Sequence, residues 1–252
     1  GIPYNVPGET INRLCASGMS SIIHAHRAIK ANDGDLFISG GVENMTRGPL
    51  VISKASTAYG RDSKMFDSSF GWRFINPLLD KLYGTDSMGT TAENLVSKYN
   101  ISREDQDKFA YNSQMKASLS QKNGVFEQEI VKVVIPQRKK EDIIFDKDEF
   151  IKPNTSVEIL SKLRAAFKKD GSVTAGNSSG LNDGAAAMLL SSDEGLKKFN
   201  LKPKARIISS AVVGVEPKIM GIGPVHASNK ALNKANLSLD DMDVIEINEA
   251  FS

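Results

Sequence analysis

Of 252 residues, one is a cysteine, Cys15, and three are histidines. A single thiol excludes an intramolecular disulfide and fits a reducing compartment, so a cytoplasmic protein is expected. With so few thiols and imidazoles there is no clustered ligand set of the kind that holds zinc, and no metal is expected. An excess of one charge sign is also lacking: 32 Lys and Arg against 30 Asp and Glu leave a net charge of +2. No strong field draws the chain to nucleic acid or to an anionic membrane, and neither is expected as a partner. No apolar run reaches the roughly 18 residues of a spanning helix, and the first residues do not read as a signal peptide. What remains is an ordinary globular balance, 40% hydrophobic and 25% charged, with length enough for one large domain or two ordinary ones.

Along the chain, residues 9–13 read as a short strand entering a helix from Leu14 to Lys30. Met19, Ile22, Ile23, His26 and Ile29 fall at helical spacing and are expected as its buried stripe. Asn32-Asp33-Gly34 supplies turn chemistry, and LFIS follows as a buried parallel strand ending at Gly40-Gly41. Strand, helix, strand in this order argues for α/β architecture. After Arg47 the alternation stops. Two helices are expected there, TTAENLVSKY and SREDQDKFAYNSQMKASLSQKNG, the second capped by Ser102 and ended at Gly124. EIVKVVIPQ reads as a strand, and Arg138-Lys139-Lys140 as a solvated hairpin tip. From Gly176 the pattern resumes: a polar GNSSG turn, strands AAAMLLSS and ARIISSAVVGV, helix ASNKALNKANLS, and strand DVIEIN closing at Asn248-Glu249. The expected division is 1–46, an inserted region 47–175, a return at 176–198, and a second half beginning at 199–252.

Cys15 poses the chemical question. A free cysteine is commonly a small buried hydrophobe. This one falls at a helix start, where unpaired N–H groups favour an anion. Ala16, Ser17 and Gly18 beside it are small, which suits either close approach of a bulky group or tight helix packing.

The segment NRLCASGM resembles the nucleophilic-cysteine segment of the thiolases. GGVENMTRGP, SMGTTAEN, DGSVTAGNSSGLNDGAAA, MGIGPVHAS and NEAF are similar to further thiolase motifs, in the family's order and at compatible spacing. The likeness covers essentially the whole sequence, and FDSSFGWRFINPLLDKLYGTDSM is most similar to the 3-oxoadipyl-CoA thiolases. The resemblance implies layered α/β halves with an inserted loop domain, here incomplete at both ends. It implies thiolytic cleavage of a 3-oxoacyl-CoA, or the reverse condensation, through an acyl-cysteine on Cys15. Asn248 would position a water in an oxyanion hole. Met88, Phe167, Ala175, Ser179, Met220, Ala250 and Phe251 would line the acyl pocket and pantetheine channel, with Lys152 near the nucleotide end. Coenzyme A and acyl-CoA would be substrates rather than a resident cofactor, and the assembly a homodimer or homotetramer.

Each residue also has a plainer reading. Met88 and Met220 suit core gaps, and Phe167 and Phe251 suit core aromatics. Ser179 and Asn177 suit turns that bond their own backbone, and Lys152 a solvated face. Asn248, closing a buried strand, would need a polar partner. Glu249 reads as an anchor or a site acid.

The family's histidine and second cysteine lie in Gly-His-Pro and Cys-x-Gly-Gly segments after NEAF, and neither occurs here. His26 is eleven residues from Cys15, about 16 Å along a helix and too far for proton transfer. His226 reads as a loop or helix-start residue. The expectation is a piece of a longer thiolase that cannot complete the reaction alone. A non-catalytic protein that binds CoA esters or lipids, or a cysteine hydrolase on another α/β fold, are the alternatives.

Overall fold

The structure is a computed structural model and describes residues 1–252. In chain order the elements are α1 (Ser17–Lys30), β1 (Leu36–Glu43), β2 (Leu50–Ile52), β3 (Met65–Asp67), α2 (Pro77–Tyr83), α3 (Met88–Tyr99), α4 (Arg103–Lys122), β4 (Val133–Ile135), β5 (Ile143–Phe145), α5 (Val157–Ser161), β6 (Gly184–Ser191), α6 (Asp193–Lys198) and α7 (Gly223–Ala235). They group into two compact units. One holds Gly1–Ile75, Leu181–Gly214 and Gly223–Val244; the other holds Asn76–Gly180, Val215–Ile222 and Ile245–Ser252.

The first unit is built on β1 and β6, which pair antiparallel from Leu36↔Ser191 to Glu43↔Gly184. The expected parallel strand at LFIS is therefore corrected: its only ladder is with a strand that returns in the opposite direction. Gly40-Gly41 lies inside β1 rather than at its end. Gly40 is required there, since a Cβ would lie 2.1 Å from the Ala186 carbonyl oxygen. Helix α1 packs on both strands. Its buried residues are Ser20, Ile23 and Ala25, while Met19 is 69% exposed. The stripe is turned from the expected one because small residues allow close approach; the Ser39 hydroxyl donates to the Ser21 carbonyl at 3.2 Å. Most of β6 is exposed apart from Leu190, so the expectation of a buried strand also fails. Residues 9–13, 205–215 and 243–248 carry no strand. A strand exists only as part of a ladder, and none of these stretches forms one.

The second unit is helical with a small hairpin. Asn76 caps α2 with Pro77 in its first turn, and the Ser87 hydroxyl accepts the Thr90 N–H of α3. Ser102 accepts the Asp105 N–H of α4, with Glu104 and Asp105 in the positive first turn. Gly124, at φ +73°, follows the cap residue Asn123. Strands β4 and β5 pair antiparallel around the basic tip. Its apolar core comprises Ala92, Ala110, Leu160 and Val173. Helices α2 and α5 and, in the first unit, the hairpin β2–β3 were not foreseen. They are only 3–7 residues long, too short to show a period.

Candidate active site

Cys15 lies in a single 3-10 turn, Leu14–Ala16, that runs into α1. The cysteine is exposed, which removes the reading of it as a core thiol. The turn is held by local bonds. Asn12 Oδ1 accepts the Leu14 N–H at 2.8 Å, Ser17 Oγ accepts the Arg13 N–H at 2.8 Å, and the Ser17 hydroxyl donates to the Leu14 carbonyl at 2.7 Å. Leu14 takes φ +49°, a left-handed conformation costly for a residue with a branched side chain. The strain sits next to the thiol, and three short-range bonds sustain it.

In the other unit, α3 and α4 hold a loop, residues 172–179, by buried polar side chains. Glu93, 2% exposed, accepts the Ser172 and Val173 N–H groups on one oxygen at 2.8 and 2.7 Å. Gly171 makes room for it, as a Cβ there would lie 2.3 Å from that oxygen. Gln106 Nε2 donates to the Ser172 hydroxyl at 2.9 Å. Asp107, 1% exposed, accepts from Arg103 Nε at 2.8 Å and from Asn177 Nδ2 at 3.0 Å.

Segment 249–252 lies on this loop. The Ser179 N–H donates to the Ala250 carbonyl at 2.9 Å, Ser178 and Phe251 form an antiparallel bridge, and the Ser252 N–H donates to the Asn177 carbonyl at 3.1 Å. The Phe251 ring meets Phe167 edge to face, centroids 6.1 Å apart. Phe167 is seated over Gly89, where a Cβ would lie 2.0 Å from the ring. The loop, α4 and the segment enclose a cleft of about 180 Å³ whose walls include Phe109, Ser113, Phe150, Asn177, Ser179 and Glu249. The Ser113 hydroxyl donates to Glu249 Oε2 at 3.1 Å.

Ala175, Ser179, Ala250 and Phe251 are thus brought together on one loop and its docked segment, with Phe167 against the Phe251 ring. Met88 opens α3 one residue before Gly89 and is 41% exposed. Met220 lies on the 217–222 turn that packs on α3 and is 43% exposed. Lys152 is exposed. Its N–H donates to Gln114 Oε1 at 2.8 Å, and its ammonium stands 5.4 Å above the Phe150 ring. Asn248 is exposed and closes no strand, contrary to expectation, so burial does not oblige its side chain to find a partner. Cys15 belongs to the first unit and all these residues to the second. His24 pairs with Glu9 at 3.5 Å, His26 borders a separate groove beside Arg27, Lys30 and Lys234, and His226 lies inside α7.

Apart from one spacing, nothing in the sequence singles out Phe109, Ser113 and Phe150 in the cleft, or Glu93, Gln106 and Asp107 beneath it. One signal was available: Phe109 and Ser113, and Ala110 and Gln114, are four apart and so share one face of α4.

Family models for "Thiolase, N-terminal domain" and "Thiolase, C-terminal domain" match residues 1–194 and 201–252. The chain belongs to the thiolase family. Among curated relatives, it is 52% identical over its whole length to the beta-ketoadipyl-CoA thiolase of Acinetobacter baylyi. It is 50% identical to the 3-oxoadipyl-CoA/3-oxo-5,6-dehydrosuberyl-CoA thiolase of Escherichia coli. The chain spans 63% of the length of either relative. Among solved structures, the human mitochondrial 3-ketoacyl-CoA thiolase in complex with CoA superposes with a TM-score of 0.86 at 41% identity, over 100% of this chain and 61% of that one. The Bacillus anthracis acetyl-CoA acetyltransferase gives 0.84 at 41% identity, over 99% and 62%. The expected α/β thiolase fold is established by these likenesses. No helix is long and apolar enough to cross a membrane.

Proposed function

We propose that this chain carries the acyl-accepting cysteine of a thiolase, an acetyl-CoA C-acyltransferase acting on a 3-oxoacyl-CoA such as 3-oxoadipyl-CoA, and that these residues alone do not complete the reaction. The observation that carries the reading is the exposed Cys15 on a strained turn at the head of α1, in a chain that matches both thiolase family models. In this reading the Cys15 thiolate attacks the 3-carbonyl carbon. The tetrahedral oxyanion collapses, the C2–C3 bond breaks, and its electron pair remains on C2 as the acetyl-CoA enolate, which takes up a proton. Coenzyme A, as thiolate, then attacks the acyl-Cys15 thioester and releases the shortened acyl-CoA with the cysteine restored. Run backwards, the same steps make the carbon–carbon bond.

Asn248 is assigned to a water of the oxyanion hole. Met88, Phe167, Ala175, Ser179, Met220, Ala250 and Phe251 are assigned to the acyl and pantetheine walls, and Lys152 to the nucleotide end. The converging loop and segment of the second unit support this for the residues they carry. Complete turnover also needs a base for the thiol and a proton donor for C2; no group among residues 1–252 is assigned either role. Residues 1–46 and 176–198 form one half in this reading, 47–175 the inserted domain, and 199–252 the start of the second half. Coenzyme A is a substrate, the compartment is the cytoplasm, and the assembly is a homodimer or homotetramer.

Acylation is the step to test. Incubation with acetyl-CoA followed by intact mass measurement is expected to add one acetyl group to the chain and none to Cys15→Ala. Coenzyme A bound without an adduct would support the non-catalytic binding protein instead. Neither adduct nor binding removes both readings for this chain.

A further inference from the structure

The 250–252 segment rests on a single turn, and that turn is fixed from below. The Asn177 carbonyl accepts the Ser252 N–H at 3.1 Å and the Ser252 hydroxyl at 3.2 Å. The Asn177 side chain, 2% exposed, cannot rotate without losing three bonds. Its Nδ2 donates to Asp107 Oδ1 at 3.0 Å and to the Ser172 carbonyl at 3.1 Å, and its Oδ1 accepts the Thr174 N–H at 2.7 Å. Asp107 is held in turn by Arg103, whose guanidinium also donates to the Leu160 and Leu163 carbonyls at 2.6 and 3.1 Å.

We propose that Asp107 and Asn177 are positioning residues for the Asn248–Phe251 segment. A buried carboxylate and amide add less net stability than a well-packed apolar pair, because both must be desolvated. What they add is direction: the amide has one donor edge and one acceptor edge, and all its partners are distinct. The carbonyl of residue 177 therefore points one way, and the segment takes its register from that carbonyl and from the Ser179 N–H. The Ser113 bond to Glu249 ties the next residue back. Asn248 is then the first residue outside a fully anchored run, with its own side chain exposed. The inference rests on the thiolase reading only for what Asn248 does; the anchoring is separate.

Amide hydrogen exchange by NMR on the 252-residue chain tests it. Asn177→Ala and Asp107→Asn are each expected to speed exchange at Ser179 and Ser252 on the order of tenfold or more, and to weaken the Phe167–Phe251 ring contact, with the interior of α4 still protected. The exchanged pair, Asp107→Asn with Asn177→Asp, restores one donor and one acceptor between the two positions but leaves the Ser172 carbonyl without its donor, so it is expected to recover part of the protection. Ser102→Ala serves as the stability control: it weakens α4 at its cap and is expected to leave both amides unchanged. Three outcomes each overturn the proposal: wild-type exchange in both single variants, equal acceleration in Ser102→Ala, or an exchanged pair no better protected than the singles. Should Asn177→Ala fail to fold, the isosteric Asp107→Asn and the exchanged pair decide. Absence of an acetyl adduct at Cys15 in the wild-type chain would remove the thiolase reading while leaving the exchange result standing.

Discussion

The two units hold their functional segments in opposite ways. Around Cys15 every bond that shapes the turn spans two to four residues, and the groups are exposed. The bonds that tie the 172–179 loop to α3 and α4 span 66 to 80 residues, and the helix side chains that make them are buried. A local arrangement places a reactive group cheaply and leaves it open to a large ligand. A non-local one costs desolvation and loop closure, and in return fixes a surface on which other segments take their register. The contrast separates stability from reactivity: damage to the buried set should be read in unfolding, and damage to the turn in acylation.

The largest effects fall on the buried set. Asp107→Ala leaves the Arg103 guanidinium and the Asn177 amide without their shared partner, a change expected to cost about 3–5 kcal/mol. Glu93→Ala strands the Ser172 and Val173 N–H groups, at roughly 1–3 kcal/mol for the penalty of buried unsatisfied donors. Urea denaturation measures both. Losses under 1 kcal/mol in both variants would show that the second unit does not depend on these bonds.

Two glycines sharpen the comparison at the next level. Gly40→Ala directs a methyl group into the backbone of β6, which cannot move without opening the ladder. Gly89→Ala meets the ring of Phe167, which can tilt. Both are overpacking changes of roughly 1–3 kcal/mol, with Gly40→Ala the costlier. Thermal melts of the pair give the order, and the reverse order would mean that the Phe167 ring is the less yielding neighbour.

This division also explains what the sequence disclosed. Helices α3 and α4, the Ser102 cap and the β4–β5 hairpin rest on local chemistry and periodicity, and they stand where the pattern placed them; α7 (Gly223–Ala235) begins and ends earlier than the expected 227–238. The resemblance motifs named Cys15 and the GNSSG and NEAF segments. What stayed hidden needed distant partners. ARIISSAVVGV and DVIEIN have strand composition, but composition does not supply a ladder. The α1 stripe turned because the sheet beneath it accepts small residues closely. Nothing local in the sequence marks Glu93 or Asp107, whose partners on the loop lie 80 and 70 residues further on.

A smaller effect is expected at the turn itself. Asn12→Ala removes the acceptor for the Leu14 N–H in an exposed setting, where the loss is about 1 kcal/mol or less. Global stability should barely change. The rate of Cys15 acetylation by acetyl-CoA should fall, because the φ +49° conformation of Leu14 loses one of its restraints. Leu14→Gly adopts that conformation without penalty and should restore the rate in the Asn12→Ala background. Equal rates in all three chains would show that the strained turn has no part in presenting the thiol.

The smallest effect is a pH dependence confined to one exposed cap in the first unit. The Ser238 N–H and hydroxyl both donate to Asp241 Oδ2, at 2.7 and 2.8 Å, and hold its carboxyl below its ordinary value of 3.8. The folded state therefore binds this proton less readily than the unfolded chain does. The cap's contribution is complete above the ordinary value and is lost as pH falls through the lower folded one. Asp241→Asn abolishes that dependence. Exchange at the Asp241 and Met242 amides, compared between neutral pH and pH well below the ordinary value of 3.8, should converge in the two chains on acidification and differ at neutral pH. A difference that persists unchanged into acid would mean that the carboxylate's charge is not what closes this turn.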